Sequence, residues 1–378
     1  MEIYVVKRGD TVDRIASYYD ADVWRIIYDN QLIYPYELAV GQALIIPSGE
    51  RRPSGSIYVS GYAYPFISRW VLEQTLPFLS RLPIFSYGFT TQGELVPPLL
   101  EEEWMIREAG RFGTQAVLTL TPFGPDGLFN NYLISAVVNS ALASERLVAN
   151  LLQVMEEKGY QGVDIDFEYI LASDRDAFTA FVWRVAEAMR ANGYHTSVAL
   201  APKTSADQEG LLYEGKDYRG LGEAADSVLL MTYEWGYTYG PPMAVAPIHL
   251  VRRVVEYAVT EIPRQKIDLG IPNYGYDWPL PYERGITKAI TIGNVQAVRI
   301  AIAQGVPIEF DETAQSPFFT YFQTDGTAHE VWFEDVRSLQ AKFELIREFG
   351  LRGCGYWQIM QWFRANWLLL RDNFYIMK

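Results

Sequence analysis

The sequence has few residues that form cross-links or bind metals. Only one of its 378 residues is a cysteine, Cys354, so no disulfide can form within the chain and stability must come from the core. His195, His249 and His329 are far apart and show no metal-ligand spacing, and we expect each on the surface or in a loop. We therefore predict neither a metal nor another cofactor.

Basic residues and long apolar runs are also scarce. The 32 Lys and Arg residues face 46 Asp and Glu residues, and the net charge of −14 argues against a nucleic-acid or anionic-membrane partner. No apolar run approaches the roughly 18 to 20 residues that a membrane span needs. The first residues lack the apolar core of a signal peptide. We expect a soluble chain, monomeric and without an evident secretion signal.

Aromatic residues, by contrast, are abundant. They make up 15% of a chain that is 49% hydrophobic, which excludes disorder and allows a large core. Flat side chains in such numbers are typical of a cleft that binds sugars, although many of the 26 tyrosines can simply pack.

Three acids alternate with apolar residues in segment 162–169. If the segment is a strand, Asp164, Asp166 and Glu168 point to one face, with neighbouring residues of that face about 6.6 Å apart. Close carboxyls resist ionising together, so one of them keeps a proton near neutral pH. Metal binding, hydrolysis by two carboxylates and a plain solvent-facing strand all remain open from this pattern.

Residues 1–47 predict a small separate unit. It contains a strand at 3–6, a helix from Thr11 that Asp10 or Thr11 caps, a helix near 22–28 and a strand at 43–46. Segments 4–11 (YVVKRGDT) and 41–47 (GQALIIP), with Asn30 between them, resemble a LysM domain. That family implies a βααβ module that binds N-acetylglucosamine chains of peptidoglycan or chitin. Carried over, its sugar groove comprises Gly9, Asp10 and Thr11 with the loop Leu32, Ile33 and Tyr34.

Residues 48–55 are polar and contain Gly and Pro, which predicts a linker before a second domain at 56–378. Eight apolar runs then alternate with helical patterns, and one helix is expected to start at Ser144 and end at Gly159. This alternation predicts a (β/α)8 TIM barrel, an α/β fold. The runs are 57–62, 84–89, 116–121, 162–167, 196–201, 227–232, 267–271 and 353–359.

The connection between the seventh and eighth runs is too long for one helix and two loops. It comprises about 80 residues, where far fewer would suffice. A helical stretch at 293–304 lies between strand-like segments. We predict a small α+β insertion at about 279–335.

A barrel's active site lies at the C-terminal ends of its strands. The acid triplet ends the fourth run, so we place Glu168 at the rim, Asp166 below it and Asp164 deeper. Segment 162–168 resembles the signature of family 18 glycoside hydrolases, and three further segments resemble motifs of the sixth, seventh and eighth strands of that family. These are 231–233 (MTY), 270–275 (GIPNYG) and 355–357 (GYW).

The resemblance implies a retaining mechanism in which the substrate's own acetamide is the nucleophile. Glu168 is then the acid and base, Asp166 orients the acetamide, Tyr233 donates a hydrogen bond to it, and Trp357 lies under the sugar ring. Barrel packing is an equally good explanation for any single aromatic residue near the strand ends. The expected cleft residues are Tyr62, Phe89, Met231, Glu234, Trp235, Tyr274 and Trp278.

Some positions depart from the family pattern. Gln161 replaces its first Asp, Phe167 a frequent Trp, and Glu234 the Asp after the sixth-strand motif. These departures fit a divergent branch of the family. With the LysM-like unit in front, four segments resemble the cortex-lytic N-acetylglucosaminidases of endospore formers: 166–169 (DFEY), 201–203 (APK), 231–237 (MTYEWGY) and 331–335 (VWFED). That implies spore cortex peptidoglycan as substrate, and a place in the spore cortex or coat or in the cell wall after synthesis in the mother cell. A chitinase-like hydrolase and a non-catalytic lectin remain alternatives.

Overall fold

The computed structural model describes residues 1–49 and 53–378. At the N-terminus, the strands Glu2–Val5 and Ala43–Ile46 pair antiparallel and enclose the helices Val12–Tyr18 and Val23–Asp29. The Thr11 hydroxyl caps the first helix by accepting a hydrogen bond from the Arg14 amide. The predicted βααβ module is confirmed. Of the predicted linker, residues 50–52 lie outside the described residues.

Eight parallel strands follow and close into a barrel. Each pairs with the next, and the eighth pairs with the first, so the predicted TIM barrel is confirmed. The fourth, sixth and seventh strands are buried at every position, as expected where helices cover a parallel sheet. The strands are Ser56–Gly61, Arg81–Phe89, Gln115–Leu120, Gly162–Ile165, His195–Leu200, Ser227–Leu230, Ile267–Pro272 and Gly353–Trp357.

Helices surround this barrel. The helix expected from Ser144 begins earlier, because Ser140 has an extended backbone and its hydroxyl accepts a hydrogen bond from the Ala143 amide, while Ser144 is buried within the helix. The α-helices are Arg69–Thr75, Glu103–Arg111, Tyr132–Val138, Ala141–Lys158, Arg175–Ala191, Tyr218–Ala224, Ile248–Glu261, Val336–Phe349 and Arg364–Asn373. Short 3-10 helices span Leu76–Phe78, Ala172–Asp174 and Arg264–Lys266, and the short strands Leu95–Val96 and Tyr375–Ile376 extend the sheet.

The insertion after the seventh strand is a five-stranded antiparallel sheet with the helix Asn294–Gln304. The sheet begins at Gly275, just before the predicted start near residue 279. A Cβ at Gly275 would lie 2.4 Å from the Trp332 carbonyl oxygen, so a glycine is needed at this close approach. The strands of the insertion sheet, in spatial order, are Ile290–Ile292, Gly275–Leu280, Ala328–Trp332, Ser316–Phe322 and Glu309–Asp311.

The LysM unit packs against the barrel and its insertion. The Arg364 guanidinium forms an ion pair with Asp29 at 2.9 Å, and the Arg364 amide donates a hydrogen bond to the Gln31 side chain. On the insertion side, the Ile308 amide donates to the Val40 carbonyl at 2.8 Å. Gly41 has φ +84°, and a Cβ there would lie 1.8 Å from the Ile308 carbonyl oxygen. The two units therefore meet through specific contacts on both sides.

Candidate active site

From Asp164 to Asp166 to Glu168, the three acids lie progressively closer to the opening of the barrel at the end of the fourth strand. Asp164 is fully buried, Asp166 is 7% exposed, and Glu168 is partly exposed in the segment that follows the strand. Between the last two, Phe167 is fully buried and stacks against Phe181 at 5.9 Å. Because Phe167 is anchored in the core, its two acidic neighbours face the barrel opening.

Asp164 is held at the base of the site. It accepts hydrogen bonds from the Tyr62 hydroxyl at 2.9 Å and the Ser197 hydroxyl at 2.5 Å. Burial raises the pKa of Asp164, while these two hydrogen bonds lower it. Tyr62 is only 3% exposed and uses its hydroxyl on Asp164. The expectation that Tyr62 lines the sugar cleft is therefore corrected: it supports the acid triplet from below.

Asp166 and Glu168 form an electrostatically linked pair. Burial raises the pKa of Asp166, and the nearby charges of Glu168 and Asp164 raise it further, whereas Lys216 lowers it. Burial likewise raises the pKa of Glu168, again opposed by Lys216. The pair thus keeps a proton to higher pH than free carboxyls do. In the described parts of the chain, the buried Oδ1 of Asp166 has no hydrogen-bond partner, which leaves it available to an incoming N–H group.

Tyr233 follows the sixth strand and is 9% exposed. Burial raises the pKa of its hydroxyl, and the carboxyls of Asp166 and Glu168 raise it further, so the hydroxyl stays protonated. Among the described residues, that hydroxyl has no hydrogen-bond partner. Tyr233 is therefore a free donor beside the acidic pair.

Glu234 adopts φ +67°, a left-handed backbone that is uncommon outside glycine. Its side chain accepts hydrogen bonds from the Tyr274 hydroxyl and, at 2.9 Å, from the Tyr276 hydroxyl. The residue as a whole is exposed, yet its carboxyl is held between the Tyr274 and Tyr276 hydroxyls. Burial raises the pKa of the carboxyl, against the two tyrosine hydrogen bonds. Tyr274, at 3% exposure, positions Glu234 instead of lining the cleft as expected.

Two other expected cleft residues belong to the core. Phe89 is fully buried against Phe167, with ring centroids 5.3 Å apart. Trp278 is also fully buried, and its indole N–H donates to the Gly240 carbonyl at 2.8 Å. Neither can touch a substrate, so both expectations are corrected. Met231 and Trp235 are partly buried and pack on the core.

Trp357 ends the eighth strand and remains partly exposed. Its ring contacts Phe85 at 5.1 Å and Tyr62 at 5.7 Å. Beside Trp357, six aromatic side chains form a row in which each ring contacts the next. Three of them are exposed: Phe66 (66%), Phe129 (40%) and Tyr169 (38%). The sequence left open whether such a row exists. It runs through Phe66, Tyr64, Phe85, Phe123, Phe129 and Tyr169.

Lys216 is a site residue that the sequence reasoning missed. It is fully buried, and its ammonium group donates to the Phe167 carbonyl, which lies between Asp166 and Glu168, and to the Ala199 carbonyl at 3.3 Å. Lysines are usually exposed, and nothing in segment 214–218 marks this one as buried.

The LysM residues separate into two groups. Asp10 and Thr11 line a cavity of about 580 Å³ together with Trp24 and Tyr36, which the sequence reasoning did not select. Gly9 precedes them with φ +87°. Leu32, Ile33 and Tyr34 instead line a cavity of about 240 Å³ that the LysM unit shares with the insertion helix. The structure therefore does not bring the six expected groove residues into one cavity.

The histidines have structural partners. His329 was expected on the surface or in a loop but is 4% exposed in a strand, stacked on Tyr321 and 2.7 Å from Asp277. His195 contacts the Ser227 hydroxyl at 2.9 Å, and His249 contacts a backbone carbonyl. Within residues 1–49 and 53–378, no three His, Cys, Asp or Glu side chains are grouped as a metal site requires. Over the same ranges, every helix is too short or too polar to cross a bilayer.

Comparison with known proteins identifies both units. The family model "Glycosyl hydrolases family 18" matches residues 124–361, and the LysM model matches residues 4–47. The chain therefore belongs to family 18 of the glycosyl hydrolases and carries an N-terminal LysM domain. It is a glycosidase whose two domains are both associated with N-acetylglucosamine-containing glycans.

Similarity to individual proteins extends over the full length. The chain is 39% identical to the cortical fragment-lytic enzyme of Bacillus subtilis (strain 168), covering 100% of this chain and 99% of that protein. The crystal structure of the spore cortex-lytic enzyme SleL of Bacillus megaterium QM B1551 superposes with a TM-score of 0.91 at 34% identity, covering 100% and 98% of the two chains. SleL of Bacillus cereus gives a TM-score of 0.83 at 37% identity, covering 100% and 87%.

Proposed function

We propose that this glycosidase cleaves glycosidic bonds beside N-acetylglucosamine in spore cortex peptidoglycan, including its fragments. The observation that carries this is the acidic pair: a partly exposed Glu168 that tends to keep its proton, beside Asp166 with a buried, unpartnered oxygen. Full-length similarity to a cortical fragment-lytic enzyme supports the choice of glycan.

In the first step, Glu168 gives its proton to the oxygen of the leaving sugar. The acetamide oxygen of the substrate attacks the anomeric carbon as that glycosidic bond breaks, which forms an oxazolinium ion. Asp166 accepts a hydrogen bond from the acetamide N–H and offsets the developing positive charge. The free Tyr233 hydroxyl donates to the acetamide oxygen and orients it.

In the second step, the Glu168 carboxylate takes a proton from a water molecule that attacks the anomeric carbon. The bond to the acetamide oxygen breaks, and the configuration of the sugar is retained. Asp164 acts through Asp166, because its oxygens already bind Tyr62 and Ser197. All these side chains belong to one barrel, so the reaction needs no second copy and we expect a monomer.

Outside the reacting centre, Trp357 supplies the ring that packs under the sugar, with Met231, Glu234 and Trp235 beside it. The LysM domain binds the same class of glycan at the cavity of Asp10, Thr11, Trp24 and Tyr36, where Trp24 is 65% exposed. The enzyme would then be held on its substrate in the cortex or coat of the spore, or in the cell wall.

Chitin oligosaccharides are the second candidate substrate, because the row of touching aromatic rings beside Trp357 resembles the extended platforms that bind long uncharged glycans. Digests of cortical peptidoglycan and of chitooligosaccharides, analysed by mass spectrometry of the new reducing ends, distinguish the two. We expect faster release of N-acetylglucosamine reducing ends from cortical fragments. Faster cleavage of chitooligosaccharides would favour the second candidate, and cleavage of neither would refute the hydrolase.

A further inference from the structure

A lysine side chain lies in the barrel wall behind the catalytic acids. Lys216 belongs to the loop between the fifth strand and the helix Tyr218–Ala224, and it is fully buried. Its ammonium group contacts carbonyls of two neighbouring strand ends: Phe167 after the fourth strand and Ala199 in the fifth. Burying an ammonium group costs considerable free energy unless hydrogen bonds and opposite charges offset the cost. The burial of Lys216 therefore needs an explanation beyond packing.

The surrounding loop is built to keep this lysine in place. The Lys203 ammonium group donates to the Lys216 carbonyl and to the Ala206 carbonyl, each at 3.1 Å. Beside Lys216, the backbone of Gly215 passes so close to the fourth-strand segment that a Cβ would lie 2.4 Å from the Ile170 carbonyl oxygen. The ring of Phe178 lies 5.3 Å from the Lys216 ammonium nitrogen and shields it from water.

Lys216 and the two catalytic acids alter each other's pKa values. Burial lowers the pKa of Lys216 to about 8, and the two charges that oppose this effect are Asp166 and Glu168. Lys216 in turn lowers the pKa of both carboxyls. The nearby Lys203 is also buried, but the charges that act on it are Arg175, Asp217, Asp207 and Glu214, and neither catalytic acid is among them.

We propose that Lys216 is a positioning residue of the catalytic site, which fixes the peptide between Asp166 and Glu168 and supplies the buried positive charge that the acidic pair needs. This assignment rests on the proposed roles of Asp166 and Glu168. Three carboxyls lie close together in the barrel, and without a cation the pair would hold its protons too tightly to lose one at neutral pH. Lys216 thereby sets the pH range in which Glu168 carries a proton while Asp166 is ionised.

The test compares Lys216→Met with Lys216→Gln, which keeps an N–H donor for the Phe167 carbonyl but carries no charge. Both changes remove the cation that lowers the two carboxyl pKa values, so both limbs of the pH profile of kcat should move to higher pH by about one unit. Lys216→Met should also lower the maximal kcat by about tenfold, because the catalytic peptide loses its anchor. Lys216→Gln should retain more of the activity.

Lys266→Met is the control, because it removes a partly buried ammonium group that donates to three backbone carbonyls and lies among charges that include neither catalytic acid. It should lower the thermal midpoint without moving the pH profile. If the Lys216 variants lose stability but leave both limbs in place, the residue is merely structural and the assignment is wrong.

A second measurement needs no Lys216 variant. Nuclear magnetic resonance of 13Cε-labelled lysine in the full chain should show the Lys216 pKa falling when Glu168→Gln removes a facing negative charge, and an unchanged pKa would overturn the assignment. An active Glu168→Gln enzyme would instead refute the proposed role of Glu168, and a wild-type enzyme that cleaves neither substrate would refute the proposed function, so these failures are distinguishable from a failure of the Lys216 assignment.

Discussion

Replacing Glu168 by glutamine should lower kcat on cortical fragments by about 10³-fold, because the amide can neither protonate the leaving oxygen nor take a proton from water. The substitution keeps the size of the side chain, and Glu168 makes no hydrogen bond or ion pair to other described side chains that its loss would break. The KM should therefore change little. Steady-state kinetics, with mass spectrometry of the reducing ends, measures the effect.

Glu209→Gln is the matched control, since Glu209 is exposed in the loop after the fifth strand. It should leave kcat unchanged. If Glu168→Gln retains more than about a tenth of the wild-type kcat, then Glu168 is not the group that transfers the proton. A protein that binds the glycan without turnover in either form would be a lectin.

Asp166→Asn should lower kcat by about a hundredfold, because it removes the negative charge that faces the oxazolinium ion. Burial and the neighbouring acids already raise the pKa of Asp166, so the ionised form is costly to maintain in the free enzyme. That cost is consistent with a carboxylate whose stabilising effect appears when positive charge develops on the substrate. The loss should therefore appear in kcat more than in KM.

Asp164→Asn makes the same change one pleat deeper and serves as the comparison. Both oxygens of Asp164 are already occupied by the Tyr62 and Ser197 hydroxyls, so it affects the substrate only through Asp166. We expect a smaller loss of kcat and a larger drop in thermal midpoint than for Asp166→Asn. The reverse order would mean that Asp164 is the residue in contact with the acetamide.

The fold was predictable because each barrel strand is a short apolar run between turn residues, and this local pattern survives in the structure. The alternation in segment 162–169 also indicated which acids share a face, since period two is a property of the extended backbone. Phe167 shows why this worked: its burial fixes the direction of the acids on either side of it.

Whether an aromatic side chain near a strand end points into the core or toward the barrel opening was not predictable from the sequence. Phe89 and Trp278 turn into the core, and Trp357 turns toward the opening, yet all three are large rings close to the end of a strand. Their direction depends on strand register and on the insertion sheet, both of which are set by distant contacts. Lys216 was missed for a related reason, because its burial results from a loop that crosses the fourth-strand segment.

The most direct test of the acetamide as nucleophile uses substrates whose N-acetyl group carries zero, one, two or three fluorines. Fluorine makes the acetamide oxygen a poorer nucleophile while changing the size of the group little. We predict that kcat falls at each added fluorine and that no sugar becomes covalently attached to the protein. A kcat independent of fluorination, with a glycosyl ester on Asp164 or Asp166 in mass spectra, would contradict substrate-assisted catalysis.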